Sequence, residues 1–541
     1  MTFKIINADK LFESIKSARD EEGFSFLLDI TVVDNLDRMD EVSTRFEVVY
    51  IFRHKEYEKE LYYKVYVEDE AIGVDSIASL YKSAAWAERE AFDQYGMNFI
   101  AHPLLKRILN HEEFVGHPMR KDYKITDFHR CTVTQDMMDE LKPVLDAKGL
   151  EIERDDLMVL NLGPSHPATH GTIRSLVALD GEKIVASVSE IGYLHRGFEK
   201  SCENHTYNQI VPYTDRLNYC SALMNNIAYC KTVEDMLGVT LPDRGIFIRV
   251  ILSELSRAID HLVCLAAGLL DMGGQTNYWY FFNPRNDAYD FLSKLTGARL
   301  TNSFMRVGGM THDLYEGWQH DLDDVLKKID FGITESQKMI EHNRIFNDRL
   351  QGISPVSAAD AISYGWTGPN LRASGVAYDL RFAKPYDYYD SFDFEMVLGS
   401  VGDTYDRMMV RIEEINQSMS IIRQAVKRLP KGSISIDDRS IMMPPKSCTY
   451  GAIEGMMNQF MLTIEGVKVP KGEYYGAYEA ANGELGHYIV SDGSGTPYKV
   501  KVRPPSFYHM AAYPDIIQEY QVADAILTLG SLNIIAGEMD R

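Results

Sequence analysis

The chain has 541 residues, 45% of them hydrophobic and 25% charged, with 79 acidic against 56 basic side chains and a formal net charge of −23. Its length exceeds what one hydrophobic core supports, so two domains or more are expected. The acidity excludes nucleic acid or anionic lipid as partners held by bulk electrostatics, leaving room only for local basic patches at a membrane contact.

Runs rich in β-branched and aromatic residues predict strands at Phe24–Val33, Thr44–Phe52 and Leu61–Val67. Asp75-Ser76 can cap a helix whose apolar positions Ile77, Leu80, Tyr81 and Ala84 recur at helical spacing, ending near Gly96. Ala101-His102-Pro103 and Gly116-His117-Pro118 are loop signals, and these elements predict a small α+β domain closing near Tyr123. Thr126 to about Glu153 is polar, with one amphipathic stretch at Met137–Leu145, and reads as a tether. Strands follow at Val159–Leu162 and Thr172–Leu179, and Asp180-Gly181 turns the chain into Lys183–Ser189. From about Tyr207 the pattern is helical. Ile248, Ile251, Leu252, Leu255, Ile259, Leu262 and Val263 mark one face of a buried bundle helix that stops at Asp271-Met272-Gly273-Gly274. Further helices are predicted at Asp321–Leu350 and Gly402–Arg428, then strands at Tyr474–Glu479 and Tyr498–Val502, then a helix from Pro514.

The longest apolar run, Leu262–Leu270, ends at Asp271, well short of the roughly twenty residues a membrane-spanning helix needs. The opening residues lack the apolar core of a signal peptide, so cytoplasmic residence is expected. Cysteines at 131, 202, 220, 230, 264 and 448 form no Cys-x-x-Cys. They read as free thiols, and no cluster or zinc ion is expected in this chain alone. No Gly-x-Gly-x-x-Gly opens a helix, and there is no Walker loop.

The most informative segment is Gly163-Pro164-Ser165-His166-Pro167-Ala168-Thr169-His170-Gly171. Two histidines four apart would share a helix face, but Pro167 between them and the flanking glycines predict a stiff loop. Such a loop either presents an imidazole to a polar ligand or holds its histidines for structural reasons.

That loop, Leu194-His195-Arg196-Gly197-Phe198-Glu199-Lys200 and Tyr213-Thr214-Asp215-Arg216-Leu217-Asn218-Tyr219 resemble the D-type subunit of respiratory complex I. Gly368–Gly375, Gly402–Arg407 and the terminal Gly537-Glu538-Met539-Asp540-Arg541 carry the same resemblance, in that family's order. Glu88–Asp93, His102–Leu109 and Gly116–Asp122 resemble the C-type subunit of the same enzyme. The chain is thus similar to a natural fusion of the two: a C-like domain at 1–125, a linker at 126–153 and a D-like domain at 154–541. A short linker keeps one module at high effective concentration beside the other. The implied fold is α+β, a small N-terminal α+β domain joined to a domain like the large subunit of nickel–iron hydrogenases, with a central helix bundle and small peripheral β-sheets.

The resemblance also implies a function. The chain would be a peripheral-arm subunit of proton-pumping NADH:quinone oxidoreductase, peripheral on the cytoplasmic side of the bacterial inner membrane, forming much of the quinone site. His170 corresponds to the histidine that approaches one quinone carbonyl, Tyr219 to the tyrosine that hydrogen-bonds the other, and Asp271 to the carboxylate that pairs with the histidine. Arg196 corresponds to an arginine near the electron-donating cluster. No cofactor is expected in this chain alone: quinone is the substrate, and iron–sulfur clusters and FMN are implied for partner subunits. The implied partners are the iron–sulfur subunit with the terminal cluster and the membrane subunit at the quinone entrance.

The residue types suit that chemistry. Reducing a quinone places two electrons and two protons on a ring with carbonyls at opposite ends, which a Tyr hydroxyl and an imidazole can hydrogen-bond and protonate. Asp271 in a last helical turn faces the negative end of the helix dipole. It calls for a cation such as protonated His170, unless it is a solvated helix end. Arg196 either favours a reduced cluster by charge or pairs with Glu199. His166 is expected to shape the loop, and Asp403, Asp406, Arg407, Arg411, Glu413 and Glu414 to pack and pair between helices.

A nickel–iron hydrogenase would need two Cys-x-x-Cys pairs. The first would fall near Arg216, where Asn218 and Ser221 stand, and no cysteine follows Cys448. A purely structural role, or a relative fed by ferredoxin or a reduced deazaflavin, stays open because other subunits choose the donor. The chain departs from the family pattern at Asn218, where Asp is frequent, Asn458, where His is commoner, and Ala101, where Gly is usual.

Overall fold

Strands rich in Val, Ile, Phe and Tyr pair readily on a half-buried pleat, and the N-terminal part begins with four. A computed structural model describes residues 2–40, 42–124, 126, 131, 134, 136–150 and 157–541. In it β1 (Phe3–Ile6), β2 (Phe26–Asp34), β3 (Phe46–Arg53) and β4 (Glu60–Val67) form one sheet in the order β1-β4-β3-β2. β1 runs parallel to β4; the other pairs are antiparallel, with Val48 between Val32 and Val65. Every residue of β2 and β3 is buried, so both faces of the sheet are covered. Leu11 and Ile15 of α1 (Leu11–Asp20) and much of α2 (Lys82–Tyr95) join this core.

α2 starts later than the Asp75-Ser76 cap predicts. Asp75 pairs as a strand with Ile100, and Ser76 donates its hydroxyl to Glu88 at 2.6 Å. Glu88 also accepts the Ile77 N–H at 2.8 Å, so both ends of the predicted first turn are already engaged. The end at Gly96 falls as predicted, in the left-handed region at φ +75°. Ala101 also lies there, at φ +61°, where the family's usual glycine would be at ease.

Of the expected linker 126–153, residues 127–130, 132, 133, 135 and 151–153 lie outside the described residues. The described part is more than a tether. Met138–Asp146 is a helix, α3, and Met137, Leu141 and Leu145 are buried against Leu176, Ala178, Val185, Ala186 and Val188. Those five belong to an antiparallel sheet of β5 (Leu157–Leu162), β6 (Arg174–Asp180) and β7 (Lys183–Glu190).

The bundle follows as α4 (Ala222–Leu237), α5 (Asp243–Asp271), α6 (Gln275–Thr296), α7 (Trp318–Ile340) and α8 (Thr404–Arg428). α5 packs against α4, α6 and α8, and Ile248, Ile251, Leu252, Leu255, Ile259 and Leu262 are all buried, as their period predicts. The single helix predicted at Asp321–Leu350 is two, because Asn343 accepts from Ile345 N–H and Phe346 N–H and restarts the chain as Arg344–Leu350.

α9 (Ile453–Ile464) precedes a second antiparallel sheet of β8 (Gly472–Ala480), β9 (Gly483–Ser491) and β10 (Lys499–Arg503). The central β9 is wholly buried, so it lacks the polar alternation by which a strand is recognised. The helix expected from Pro514 begins instead at Pro505, where the ring's missing N–H costs nothing. It is α10 (Pro505–Ile516), followed by α11 (Val522–Leu532) and α12 (Ala536–Asp540).

One apolar core runs through both halves, joining β2, β3 and α2 to Trp366, Tyr378, Tyr475, Phe507 and Tyr508. Buried polar contacts cross the same boundary: Arg53–Glu484 at 2.9 Å, Lys64–Glu473 at 2.8 Å, and the Tyr508 hydroxyl donating to Asp29 at 2.8 Å. Among the described residues no helix is long and apolar enough to cross a membrane.

Candidate functional site

The proline-rich loop holds His170 in a fixed pose. Pro167–Thr169 makes one 3-10 turn, and the buried Thr169 hydroxyl lies 2.7 Å from the His166 carbonyl and 2.8 Å from that of Gly171. His166 thus helps shape the loop through its backbone. His170 itself sits at φ +51°, a left-handed conformation a side chain rarely adopts without support. This pose aims the ring at the end of α5, where Nε2 lies 2.6 Å from Asp271 Oδ2. Asp271 is the last residue of α5, where the helix dipole disfavours a carboxylate and a charge-assisted hydrogen bond offsets the cost. Both side chains are about one-fifth exposed, at 19% and 21%. Asp271 is therefore not a bare solvated helix end.

α11 backs this pair. A Cβ on Gly530 would stand 3.3 Å from His170 Nε2 and 3.5 Å from Asp271 Oδ2, so any side chain there would press on the pair.

Tyr219 opens a 3-10 turn, Tyr219–Ser221, capped by Asn218. The Asn218 side-chain carbonyl accepts Cys220 N–H at 3.1 Å, and its amide donates to Asp260 Oδ2 at 2.7 Å. Asp260 Oδ1 accepts from Asn533 at 2.7 Å. The departure at 218 has a reason here: an aspartate would set a second carboxylate against Asp260. Asp260 and Asp271 both ride on α5, eleven residues or about 16 Å of helix apart, so one rigid element spaces the Tyr219 anchor from the His170 anchor. Tyr219 is 38% exposed. Among the described residues nothing hydrogen-bonds its hydroxyl, and partial burial raises its pKa above the ordinary value, keeping it a protonated donor. A Cβ on Gly537 would come 3.8 Å from its ring, and one on Gly171 would come 3.3 Å from the Ala536 side chain. The C-terminal segment from Gly530 to Gly537 thus touches both halves of the site.

Glu538 lies beside that segment and was not among the expected site residues. It is fully buried, accepting the backbone N–H and the hydroxyl of Ser506 on one oxygen, while Oε1 has no partner among the described residues. Burial, aided by the nearby Asp260 charge, pushes its pKa up to about 7. Its one signal was its place in the terminal motif.

Arg196 is not brought to the His170–Asp271 pair, nor does it pair with Glu199. It donates to the Tyr213 carbonyl at 3.0 Å and lies over the Phe198 ring at 5.7 Å. Glu199 instead accepts Arg541 Nε at 3.2 Å and Val502 N–H at 3.1 Å. Of the charged group on α8, Glu414 joins Arg372 at 2.8 Å and His261 at 2.9 Å across helices. Arg407 and Arg411 are buried on the Ser354 and Ser531 carbonyls, and Asp403 caps α8. Asp406 holds the Ser400 and Val401 N–H groups, whereas Glu413 accepts from Asn416 and Gln417 on its own helix.

Among the described residues one group, His111, Glu113 and Cys131, could face a metal ion. The His111 Nδ1 already accepts the Glu113 N–H at 3.1 Å, which puts the proton of the neutral ring on the other nitrogen and leaves no lone pair to offer there. Burial raises the thiols of Cys202, Cys220 and Cys264 and pushes Cys230 up to about 12, so all four are held as neutral thiols.

Two family models match the chain: the 30 kDa subunit of respiratory-chain NADH dehydrogenase over residues 5–129, and the 49 kDa subunit over residues 271–541. A C/D subunit of NADH-quinone oxidoreductase from Bdellovibrio bacteriovorus is 48% identical over 524 residues, covering 97% of this chain and 92% of that one. The D subunit of the enzyme from Myxococcus xanthus is 51% identical over 418 residues, 75% of this chain and 100% of its own. The D subunit from Pelobacter propionicus is 48% identical over 384 residues, 71% of this chain and 95% of its own.

Proposed function

Since the chain belongs to the C/D subunits of NADH-quinone oxidoreductase, we propose that it builds the quinone-reducing site of that enzyme, with His170, Tyr219 and Asp271 as the groups that meet the quinone. The observation that carries this reading is the 2.6 Å His170–Asp271 contact, partly open to solvent, beside a C-terminal segment that also touches Tyr219.

Converting a quinone to a quinol adds two electrons and one proton to each ring oxygen. The electrons would come from an iron–sulfur cluster of a partner subunit. The Tyr219 hydroxyl hydrogen-bonds one ring oxygen and passes it a proton, which the partly exposed hydroxyl regains from solvent. His170, with Nε2 engaged by Asp271, presents Nδ1 to the other. A doubly protonated ring that gives up its Nδ1 proton becomes the neutral Nε2–H form, which Asp271 continues to accept from. Asp271 thus stabilises the ring before transfer and fixes its tautomer after it.

The same proposal takes in the rest of the arrangement. Residues 1–125, 126–153 and 154–541 are the C-like domain, the joining segment and the D-like domain, the last with a hydrogenase-large-subunit fold supported by its central bundle framed by small sheets. Arg196 lies toward the partner's cluster. The chain is peripheral on the cytoplasmic face of the inner membrane, between the iron–sulfur subunit and the membrane subunit, in an enzyme that couples quinone reduction to proton pumping.

Asp271→Asn in the assembled enzyme tests the reading. Losing a charged hydrogen bond costs about 1.5–3 kcal/mol, or roughly 10–100-fold in rate. Quinone reduction should fall by that order while electron transfer from NADH to an artificial acceptor is unchanged. Equal loss of both activities, or of neither, would remove Asp271 from the site.

A further inference from the structure

The turn that carries Tyr219 ends a buried line of amides with one carboxylate in it. Asp260 accepts from the Asn218 NH2 at 2.7 Å on one oxygen and from the Asn533 NH2 at 2.7 Å on the other. All three side chains are buried, and among the described residues Asp260 is held by these two amides and by no cation. Backbone groups at both ends fix the direction of the line. At one end the Asn218 side-chain oxygen accepts the Cys220 N–H at 3.1 Å, so its NH2 faces residue 260. The Asn218 carbonyl accepts from the Asn225 amide at 2.8 Å, which ties the turn to α4. At the other end Asn482 donates to the Asn533 carbonyl at 3.1 Å, so its side-chain oxygen faces the Asn533 NH2, 2.7 Å away. That NH2 therefore donates both to Asn482 and to Asp260.

Residue 260 thus meets a donor on each side, and a carboxylate answers both with its two oxygens. Asp260→Asn would turn an NH2 against one of those donors, and Asn218→Asp would set oxygen against oxygen. Made together, the two substitutions satisfy every group again. The carboxylate at 218 still takes the Cys220 N–H, and the amide at 260 donates to it while accepting from Asn533. In a buried network each broken link leaves a polar group unpaired, so the turn shifts to restore it.

We propose that Asp260 is the positioning residue of Tyr219, holding the turn Tyr219–Ser221 to α5 through the Asn218 amide, in register with Asp271 on the same helix. The proposal rests on the role given to Tyr219 above and assigns Asp260 no contact with quinone. Three variants of the intact enzyme test it: Asp260→Asn, Asn218→Asp and the two together. Backbone hydrogen exchange at residues 218–221 reads the turn itself. It should quicken about tenfold in both single variants and return to the wild-type rate in the double variant. Unchanged exchange in the single variants, or a double variant that exchanges as they do, would overturn the proposal. If a single variant fails to assemble, the double variant decides: assembly with wild-type exchange supports the pairing, and failure to assemble overturns it. Quinone reduction should be about tenfold lower in each single variant and within about threefold of wild type in the double variant, because a displaced reacting group costs rate. In a Tyr219→Phe background Asp260→Asn should cost less than about twofold more turnover. A full tenfold loss there would show that Asp260 acts through another group, and would overturn the proposal as well. Exchange that behaves as expected while turnover stays wild-type in all three variants would keep Asp260 as the anchor of the turn and remove Tyr219 from quinone reduction.

Discussion

At the scale of residues, the supports of the site are as testable as its polar groups. Gly530→Ala adds a methyl group 3.3 Å from His170 Nε2, and the His170–Asp271 pair must shift by a few tenths of an ångström. Quinone reduction should fall about tenfold with little change in thermal stability, since displacing reacting groups costs rate before it costs fold; unchanged turnover would show that α11 does not set the pair. Glu538 binds its proton more tightly when folded, at a pKa of about 7, than the ordinary 4.5. Between those values the unfolded chain has ionised and the folded one has not, so stability falls as pH rises through that window, by on the order of 3 kcal/mol. Glu538→Gln should flatten this part of the pH profile of thermal unfolding, and an unaltered slope would refute the assignment. The stiffness of the His170 loop was legible from its prolines, and the need of Asp271 for a partner from its awkward place at a helix end. Glu538 was not, because nothing in a sequence tells that its last residues are buried.

Elements were legible where one periodic signal dominated. α5 followed its apolar spacing to the last turn, and the three strands around the histidine loop fell close to their predicted positions. The start of α2 failed because Glu88, a full helical turn and more away, competes for the capping groups. β9 failed because burial on both faces erases alternation. α3 showed its amphipathic stretch but not what covered it. Leu141 is fully buried there against β6 and β7, so Leu141→Ala should cost about 2–5 kcal/mol, read as a lower unfolding midpoint. A midpoint shifted no more than by a surface mutation would return the segment to a mere tether. Cutting the chain between residues 127 and 135, before α3, should still let co-expressed halves assemble.

The whole molecule is held by contacts that no local pattern announces. Glu90 of α2 meets Arg541 and Lys501, partners 451 and 411 residues away. Burial alone would raise its pKa, yet Arg541 and Lys501 hold it down to about 2. Its contribution to stability is therefore present above about pH 4.5 and is lost as pH falls toward 2. Glu90→Ala leaves two buried cations sharing the single carboxylate of Glu199 and should destabilise by about 3 kcal/mol, with the Arg541 end separating from α2 first in hydrogen exchange. A stable Glu90→Ala chain would mean that the shared apolar core suffices. The motifs suggested a division into two parts; the apolar core those parts share was not legible, since it depends on residues hundreds of positions apart.

Tyr219→Phe in the assembled enzyme tests the central claim most directly. It keeps the ring and its packing against the C-terminal segment and deletes only the hydroxyl. One lost hydrogen bond costs about 0.5–1.5 kcal/mol, and more where charge develops on the acceptor. Quinone reduction should therefore drop several-fold or more, most for short-tailed quinones that depend on headgroup contacts, with NADH oxidation by an artificial acceptor intact. Tyr219→Trp should be worse, because it adds bulk as well. Wild-type turnover and quinone affinity in a fully assembled Tyr219→Phe enzyme, across quinones of every tail length, would contradict the account.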